Sequence, residues 1–352
     1  MKPQSTRTEP TLLKRLFGAT KPNQPPVKHS CPACVVMMEL IGREHSGKTA
    51  LKVCYLRGPL SGPQASGLEL AAGDPRQMTR WMIDSLETYR DLTAHGLPST
   101  LDPEVIPYQL FLADESRAVF QLREVVGQIL TDTTPESDEQ QQEQYNKYVD
   151  NLSRADVLQV VIPCPPSDKP EDLARFESDL LITAGYLREA LKVRENANPV
   201  AVELVLTKID APFDSSDEAR QALTPERLKQ MLGRLVRIME GSNKVGFGVI
   251  VPVSAFGFGT SVPAVEQPAD LDRPAGGYSL LSQGERVDVL KPGTQPQPFN
   301  LTAAVWWALM AGLLLKPADS HGQHLADTAR LMASDLEAMD AWFVPLKSDP
   351  RK

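Results

Sequence analysis

The chain has 352 residues, 41% of them hydrophobic and 23% charged, and a formal net charge of −8. This composition is typical of a globular protein with one large or two small domains, and the negative charge argues against general nucleic-acid binding. Four cysteines are too few for a disulfide framework and indicate a reducing compartment, and since no signal peptide is recognisable we expect a cytoplasmic protein. Residues 1–30 carry six basic residues against one acidic residue, which predicts a flexible basic tail.

A phosphate-binding motif follows the first predicted strand, which covers 35–41. Residues 42–49 fit the pattern GxxxxGK[ST], in which glycines let backbone N–H groups turn towards phosphate oxygens. Lys48 is expected to reach the β- and γ-phosphates and Thr49 to ligate Mg²⁺, at the N-terminus of a helix over 50–56. The predicted nucleotide contacts in this loop are Gly42, His45, Ser46, Gly47, Lys48, Thr49 and Ala50. The motif predicts that the chain binds a nucleoside triphosphate.

The rest of the chain alternates strands and helices, which is typical of an α/β fold with a mostly parallel sheet. The expected strands, of which the first two form an antiparallel hairpin around a four-residue turn, cover 106–113, 118–123, 157–162, 201–206 and 249–253. The expected helices cover 81–92, 170–193, 225–240 and 299–315. The apolar run at 301–315 is too short to span a bilayer comfortably, so we expect a buried helix and no transmembrane segment.

The pattern predicts one large domain over 31–316 between the tail at 1–30 and a helical extension at 317–352. Two insertions, the acidic one at about 131–145 and the Gly-, Pro- and Gln-rich one at 259–298, are expected to be mobile surface loops. Apolar residues in the extension recur at helical spacing, at Leu325, Ala329, Met332, Leu336, Met339 and Phe343. This seam favours packing on the same domain, with a coiled-coil partner as the alternative.

Two short motifs follow later strands and indicate which base is bound. Thr207-Lys208-Ile209-Asp210 has the form [NT]KxD, in which the Asp210 carboxylate can accept both the ring N–H and the amino protons of guanine. Adenine offers no such pair of donors, so the carboxylate discriminates between the bases. Ser254-Ala255 has the form [ST]A, whose backbone N–H can meet guanine O6. Because ligands of open α/β sheets bind at the carboxyl ends of strands, we expect these loops to meet there.

With these motifs the chain resembles the TRAFAC-class, Ras-like P-loop GTPases over about residues 35–316. Within that class it is most similar to the bacterial double-GTPase-like family. The features that carry the narrower likeness are Cys31-Pro-x-Cys34, the segment 97–100 and the Trp306-Trp307 pair in the last helix of the domain. The resemblance implies a three-layer fold with one antiparallel hairpin strand, a C-terminal helix and a possible dimer through the G domain.

The resemblance also implies residues that act on the γ-phosphate. Glu124 and Gly127 stand where the family usually has DxxG, so Glu124 would hold Mg²⁺ and the Gly127 N–H would sense the γ-phosphate. Gln128 would orient the attacking water, and Thr100 is the candidate switch threonine that closes over Mg²⁺, with Thr93 and Ser99 as rivals. Glutamate in place of aspartate lengthens the arm by one methylene.

Two further features have alternative interpretations. Cys31 and Cys34, with His29 nearby, have the spacing of half a zinc site, but a structural zinc needs four ligands, which favours plain thiols. His45, at a variable position of the phosphate loop, either contacts phosphates or faces solvent.

The sequence thus predicts a GTP-binding switch that hydrolyses GTP slowly with Mg²⁺, through Lys48, Gln128 and Gly127, and that works with unidentified regulatory or effector proteins. One alternative is a nucleotide-binding scaffold in which Glu124 prevents hydrolysis. Another is an ATPase in which the Thr207–Asp210 motif is a coincidence.

Overall fold

The computed structural model describes residues 34–43, 46–48, 51, 69–72, 105–111, 117–124, 146, 149–194, 199–259, 261–263, 288–290, 297–316 and 322–347. The predicted tail at 1–30, the helix over 81–92 and the insertion at about 131–145 lie outside the described residues. The same holds for the predicted helix over 50–56, apart from Leu51.

The described chain has an α/β fold built around one mixed sheet. The strands, in chain order, are β1 (Cys34–Ile41), β2 (Glu69–Ala72), β3 (Val105–Phe111), β4 (Arg117–Glu124), β5 (Val157–Pro163), β6 (Val200–Thr207), β7 (Val245–Pro252), β8 (Ser261–Pro263), β9 (Asp288–Leu290) and β10 (Val344–Lys347). Eight of these described strands form the main sheet in the order β10-β7-β6-β5-β1-β4-β3-β2, and β8 pairs only with β9.

The five central strands β7, β6, β5, β1 and β4 are parallel. The predicted hairpin is confirmed, since β3 runs antiparallel to β4 with Val105 opposite Arg123. The expectation of one antiparallel strand is wrong, because the edge strand β10 also runs antiparallel to its neighbour β7. The other edge strand, β2, pairs antiparallel with β3 and therefore has the same direction as the central strands. Antiparallel strands are commonly added at the edge of a parallel sheet.

Strands β6 and β7 are mostly apolar because helices cover both faces of the sheet. Every residue of β6 and of β7 is buried. A strand buried on both faces cannot alternate polar and apolar residues, which explains the continuous runs that the sequence shows.

The helices with full bounds in the described chain are α1 (Pro170–Lys192), α2 (Ser216–Ala222), α3 (Pro225–Met231), α4 (Gly233–Gly241), α5 (Leu301–Leu315) and α6 (Gly322–Ala338). The prediction of one helix over 225–240 is wrong, because α3 ends and α4 begins at Leu232. The backbone of Leu232 leaves the helical region (φ −94°, ψ 16°) and its side chain is fully buried. Helix α2 was not predicted, although Ser215 caps it by accepting a hydrogen bond from the Glu218 N–H.

Each face of the sheet has its own helical layer. Helices α5 and α6 cover the face that carries Val36, Val161 and Val205, and helices α1 to α4 cover the face that carries Ile162 and Leu204. Helix α5 is buried almost all round, including Trp306 and Trp307, which confirms the predicted buried helix. No helix of the described residues has the length and apolar character needed to cross a membrane.

The C-terminal extension packs on the same domain. Its apolar seam contacts α5 through residues such as Leu325, Met332 and Leu336, so packing within the domain is confirmed. The helix ends at Ala338, and the chain then adds β10 to the sheet beside β7. The insertion at 259–298 contains regular structure, because β8 near its start pairs with β9 in its second half.

Candidate functional site

The loop after β1 is folded around the ammonium group of Lys48. Lys48 Nζ donates hydrogen bonds to the carbonyl oxygens of Gly42 (2.8 Å) and Arg43 (2.7 Å), and the residue is only 7% exposed. The Leu51 N–H then donates to the Gly47 carbonyl at 2.9 Å, which begins a helical turn. An ammonium group held at the start of a helical turn has the donor chemistry that a phosphate requires.

Two glycines of this loop sit where a side chain does not fit. A Cβ on Gly42 would lie 2.7 Å from the Val161 carbonyl oxygen and 2.8 Å from Ser46 Oγ. Gly47 has φ +96°, a backbone conformation that L side chains rarely adopt. The glycines therefore allow the loop to approach β5 and to turn back towards Lys48.

The end of β6 contacts the predicted phosphate loop directly. The Thr207 hydroxyl donates a 2.7 Å hydrogen bond to the Ser46 carbonyl, and a Cβ on Gly47 would lie 3.4 Å from Thr207 Oγ1. Strand β5 lies between β1 and β6, so the contact crosses the carboxyl end of one intervening strand. The first residue of the predicted base-reading motif thus lies against the predicted phosphate loop.

The rest of that motif forms a tight turn. Lys208 has φ +58°, and the Ala211 N–H donates to the Lys208 carbonyl at 3.0 Å. Ile209 is buried, whereas Lys208 and Asp210 are partly exposed. Asp210 is close enough to Cys164 for its charge to raise that thiol's pKa, in addition to the larger effect of burial, which together place the pKa at about 12.

The Ser254–Gly257 loop follows β7 at the same end of the sheet. The Val253 N–H donates to the Leu206 carbonyl at 2.8 Å, which places this loop beside Thr207. Ser254 is fully buried, and its Oγ accepts a 2.8 Å hydrogen bond from the Gly257 N–H. The Ser254 N–H donates to the Phe299 carbonyl, so this N–H supports the loop, and Ala255 lies partly buried beside it.

Glu124, the predicted acidic ligand, is the last residue of β4 and pairs with Leu40 of β1. It therefore lies at the same end of the sheet as Gly42. The other predicted site residues His45, Thr49, Ala50, Thr100, Gly127 and Gln128 lie outside the described residues.

Sequence reasoning missed one charged contact at the phosphate loop. Arg43 forms an ion pair with Asp179 of α1, and its charge partly opposes the rise in the pKa of Tyr186 that burial causes. Arg43 occupies a variable position of the motif, and its partner comes from a helix with an ordinary amphipathic pattern. Nothing in the sequence pattern links the two residues.

The described residues contain no group of three or more potential metal ligands. Of the predicted half zinc site, Cys34 begins β1 and Cys31 lies outside the described residues. Cys164 is a buried thiol at the end of β5. The Mg²⁺ assignment and the preference for plain thiols over zinc at Cys31 and Cys34 thus stay predictions.

No protein-family model matches the chain, and no curated protein matches it. The predicted phosphate loop, the Thr207–Asp210 turn and the Ser254–Gly257 loop come to one end of the sheet.

Proposed function

We propose that the chain binds GTP at the carboxyl ends of β1, β6 and β7 and acts as a switch that hydrolyses it slowly with Mg²⁺. The observation that carries the proposal is the hydrogen bond from Thr207 Oγ1 to the Ser46 carbonyl. It brings the first residue of the predicted base-reading motif against the predicted phosphate loop, which supports the binding of one nucleotide by both.

The sheet topology supports the same location. After β1 the chain builds β2 to β4 on one side of it and then crosses to build β5 to β7 on the other side. Open α/β sheets bind ligands at such a reversal of strand order, outside the carboxyl ends of the strands. The parallel strands and the antiparallel β3 are also what a Ras-like P-loop fold would require.

Each residue has a distinct role in the proposed chemistry. Lys48 would exchange its two carbonyl partners for phosphate oxygens, and Asp210 would accept protons from guanine. Thr49, Thr100 and Glu124 are the proposed Mg²⁺ ligands, and Mg²⁺ would neutralise charge on the phosphates. Gly127 and Gln128 would sense the γ-phosphate and orient water. Because the chain has no assigned arginine for the transition state, we expect slow turnover by the protein alone.

Nucleotide competition tests the assignment. Purified protein is titrated with a fluorescent GTP analogue and challenged with GTP, ATP or xanthosine triphosphate. GTP should compete best, and Asp210→Asn should weaken GTP by about 1–3 kcal/mol. The same variant should favour xanthosine triphosphate, whose C2 carbonyl can accept from the new amide. Asp217→Asn, on the exposed start of α2, is the matched control. Equal competition by ATP and GTP would remove the guanine assignment.

Glu124 favours a second candidate, a nucleotide-binding scaffold without hydrolysis. Its longer arm would place the carboxylate differently from the aspartate usual in the family, at the same strand end. If the scaffold interpretation is correct, Glu124→Asp should raise phosphate release at least about tenfold, which is about 1.4 kcal/mol in the barrier. A wild-type protein that already releases phosphate at the rate of the variant excludes the scaffold.

A further inference from the structure

A short segment at the C-terminal end of the second insertion lies along the proposed base-binding loop. We call Ser254–Gly257 the base loop and Gln297–Asn300 the support segment. The Ser254 N–H donates to the Phe299 carbonyl (3.1 Å), and the Phe299 N–H donates back to the Ser254 carbonyl (2.9 Å). The Gln297 N–H also donates to the Phe256 carbonyl at 2.7 Å. The base loop is therefore paired along its length with a segment at the C-terminal end of the insertion.

Gly257 makes this pairing possible. Its φ is +88°, and an added Cβ would lie 2.1 Å from the Gln297 carbonyl oxygen. Two residues later, Gly259 has a similar φ of +68°, but a Cβ there meets nothing within 4 Å among the described residues. Contact with the support segment, in addition to backbone conformation, therefore requires glycine at position 257.

Asn300 connects the support segment to two other parts of the fold. Its Nδ2 donates to the carbonyl oxygens of Pro252 (2.8 Å), at the end of β7, and of Trp342 (2.6 Å). Its Oδ1 accepts from the Trp342 N–H at 3.1 Å. The Asn300 backbone is left-handed (φ +59°), a conformation that asparagine tolerates better than most residues.

The same segment also contacts the helix that follows the Thr207–Asp210 turn. The Arg220 guanidinium of α2 lies 5.5 Å from the ring centroid of Trp342 and 6.0 Å from that of Phe299. Arg220 also donates to the Asp340 carbonyl at 2.9 Å. Phe299 and Trp342 meet edge to face at 6.2 Å. The base loop is thus paired directly with the support segment, and the helix that follows the Thr207–Asp210 turn contacts both the support segment and residues 340–342 through Arg220.

We infer that the support segment is a positioning element for base recognition, and that the C-terminal extension contributes to guanine affinity through the contact of Trp342 with Asn300. The inference rests on the proposed function. The inference predicts that a change in the support segment weakens binding of the base and leaves binding of the phosphates intact. The reason is that the hydrogen bonds of Lys48 to Gly42 and Arg43, and of Thr207 to Ser46, involve neither the support segment nor Trp342.

The test compares two ligands in four proteins. GTP and inorganic triphosphate, each with Mg²⁺, compete against a fluorescent GTP analogue on wild type, Gly257→Ala, Asn300→Gly and the control Gly259→Ala. Asn300→Gly removes the three side-chain hydrogen bonds and keeps the left-handed backbone unstrained. We expect both support variants to weaken GTP at least tenfold while triphosphate affinity stays within twofold, and Gly259→Ala to match wild type for both ligands.

Two outcomes would overturn the inference: GTP affinity within twofold of wild type in both support variants, or equal weakening of GTP and triphosphate. A variant that lacks the circular dichroism spectrum of wild type is replaced by Arg220→Ala, whose side chain is 34% exposed and for which the same pattern is expected. If wild type shows no preference for GTP over ATP, the proposed function fails. If wild type prefers GTP and the support variants retain this preference, only the present inference fails.

Discussion

The Thr207 hydroxyl donates a 2.7 Å hydrogen bond to the Ser46 carbonyl, across 161 positions of sequence. The bond is buried and joins the loops that follow β1 and β6. It gives Thr207 a structural role in addition to any contact with a ligand. The threonine of this motif therefore contributes to holding the two loops together.

Replacing Thr207 by valine should separate these two loops. Valine keeps the shape but leaves the Ser46 carbonyl without this donor, so we expect a loss of about 1–3 kcal/mol in the free energy of unfolding. Thr207→Ser keeps the hydroxyl and should recover most of this loss. Urea denaturation of the three proteins provides the measurement, and a valine variant as stable as wild type would mean that the bond contributes nothing.

Replacing a glycine by alanine should lower the stability of the protein in helix α5 and raise it in helix α1. A Cβ on Gly312 of α5 would lie 2.5 Å from Val36 Cγ1, whereas a Cβ on Gly185 of α1 meets nothing within 4 Å in the described chain. We expect Gly312→Ala to cost about 1–3 kcal/mol through overpacking and Gly185→Ala to add up to about 1 kcal/mol through helix propensity.

A double variant checks the cause of the Gly312 effect. Val36→Ala removes the methyl group that the new Cβ would meet, so the double variant Val36→Ala, Gly312→Ala should lose less stability than the sum of the single changes. Additive losses, measured by thermal unfolding, would contradict the close contact between α5 and β1.

Glu203 should make stability depend on pH. It is fully buried in β6 and accepts a 2.6 Å hydrogen bond from Gln159 Nε2, and burial raises its pKa well above 4.5 despite that bond. Because the folded chain holds this proton more tightly than the unfolded chain, its contribution is fully present below about pH 4.5 and is lost as pH rises through the folded pKa.

Glu203→Gln removes this titration, so the stability of the variant relative to wild type should increase with pH, by at least about 1 kcal/mol between pH 5 and pH 9. Urea midpoints across that range measure the difference. Glu240→Gln, on the exposed surface of α4, is the control and should give a flat difference. A flat difference for Glu203→Gln would show that the carboxyl is ionised throughout.

Cys164 should be unreactive in the folded protein. Its pKa of about 12 leaves roughly one thiol in ten thousand ionised at pH 8, and the residue is only 5% exposed. Peptide mapping after treatment with N-ethylmaleimide should find Cys164 unmodified in native protein and fully modified in guanidinium chloride. Rapid native modification at pH 8 would indicate that the end of β5 opens readily.

The central strands were predictable because their signals are local. Strands such as β6 are long apolar runs, and each loop motif follows one of them. The edge strands β2 and β10 have no such signal, since β2 is short and β10 contains Pro345. Their pairing is decided by the exposed edges of β3 and β7, which lie far away in sequence.

The supporting contacts of the site were unpredictable for the same reason. Asn300 follows the glycine- and proline-rich insertion, and its position suggests only a helix start. Its three partners, on Pro252 and Trp342, are backbone groups, which leave no trace in residue type. By contrast, the missed helix α2 did carry a local signal, because Ser215 and Glu218 have the spacing of a capping box.

The pairing of Asn300 with Trp342 also bears on how the protein folds during synthesis. Trp342 leaves the ribosome after the loop at Lys48 and after the Thr207–Asp210 turn, and a domain tends to fold as a unit. Until Trp342 is available, Asn300 lacks its two backbone partners on that residue. A nascent chain that stops short of Trp342 would therefore hold the base-binding half of the proposed GTP site less firmly than the folded domain does.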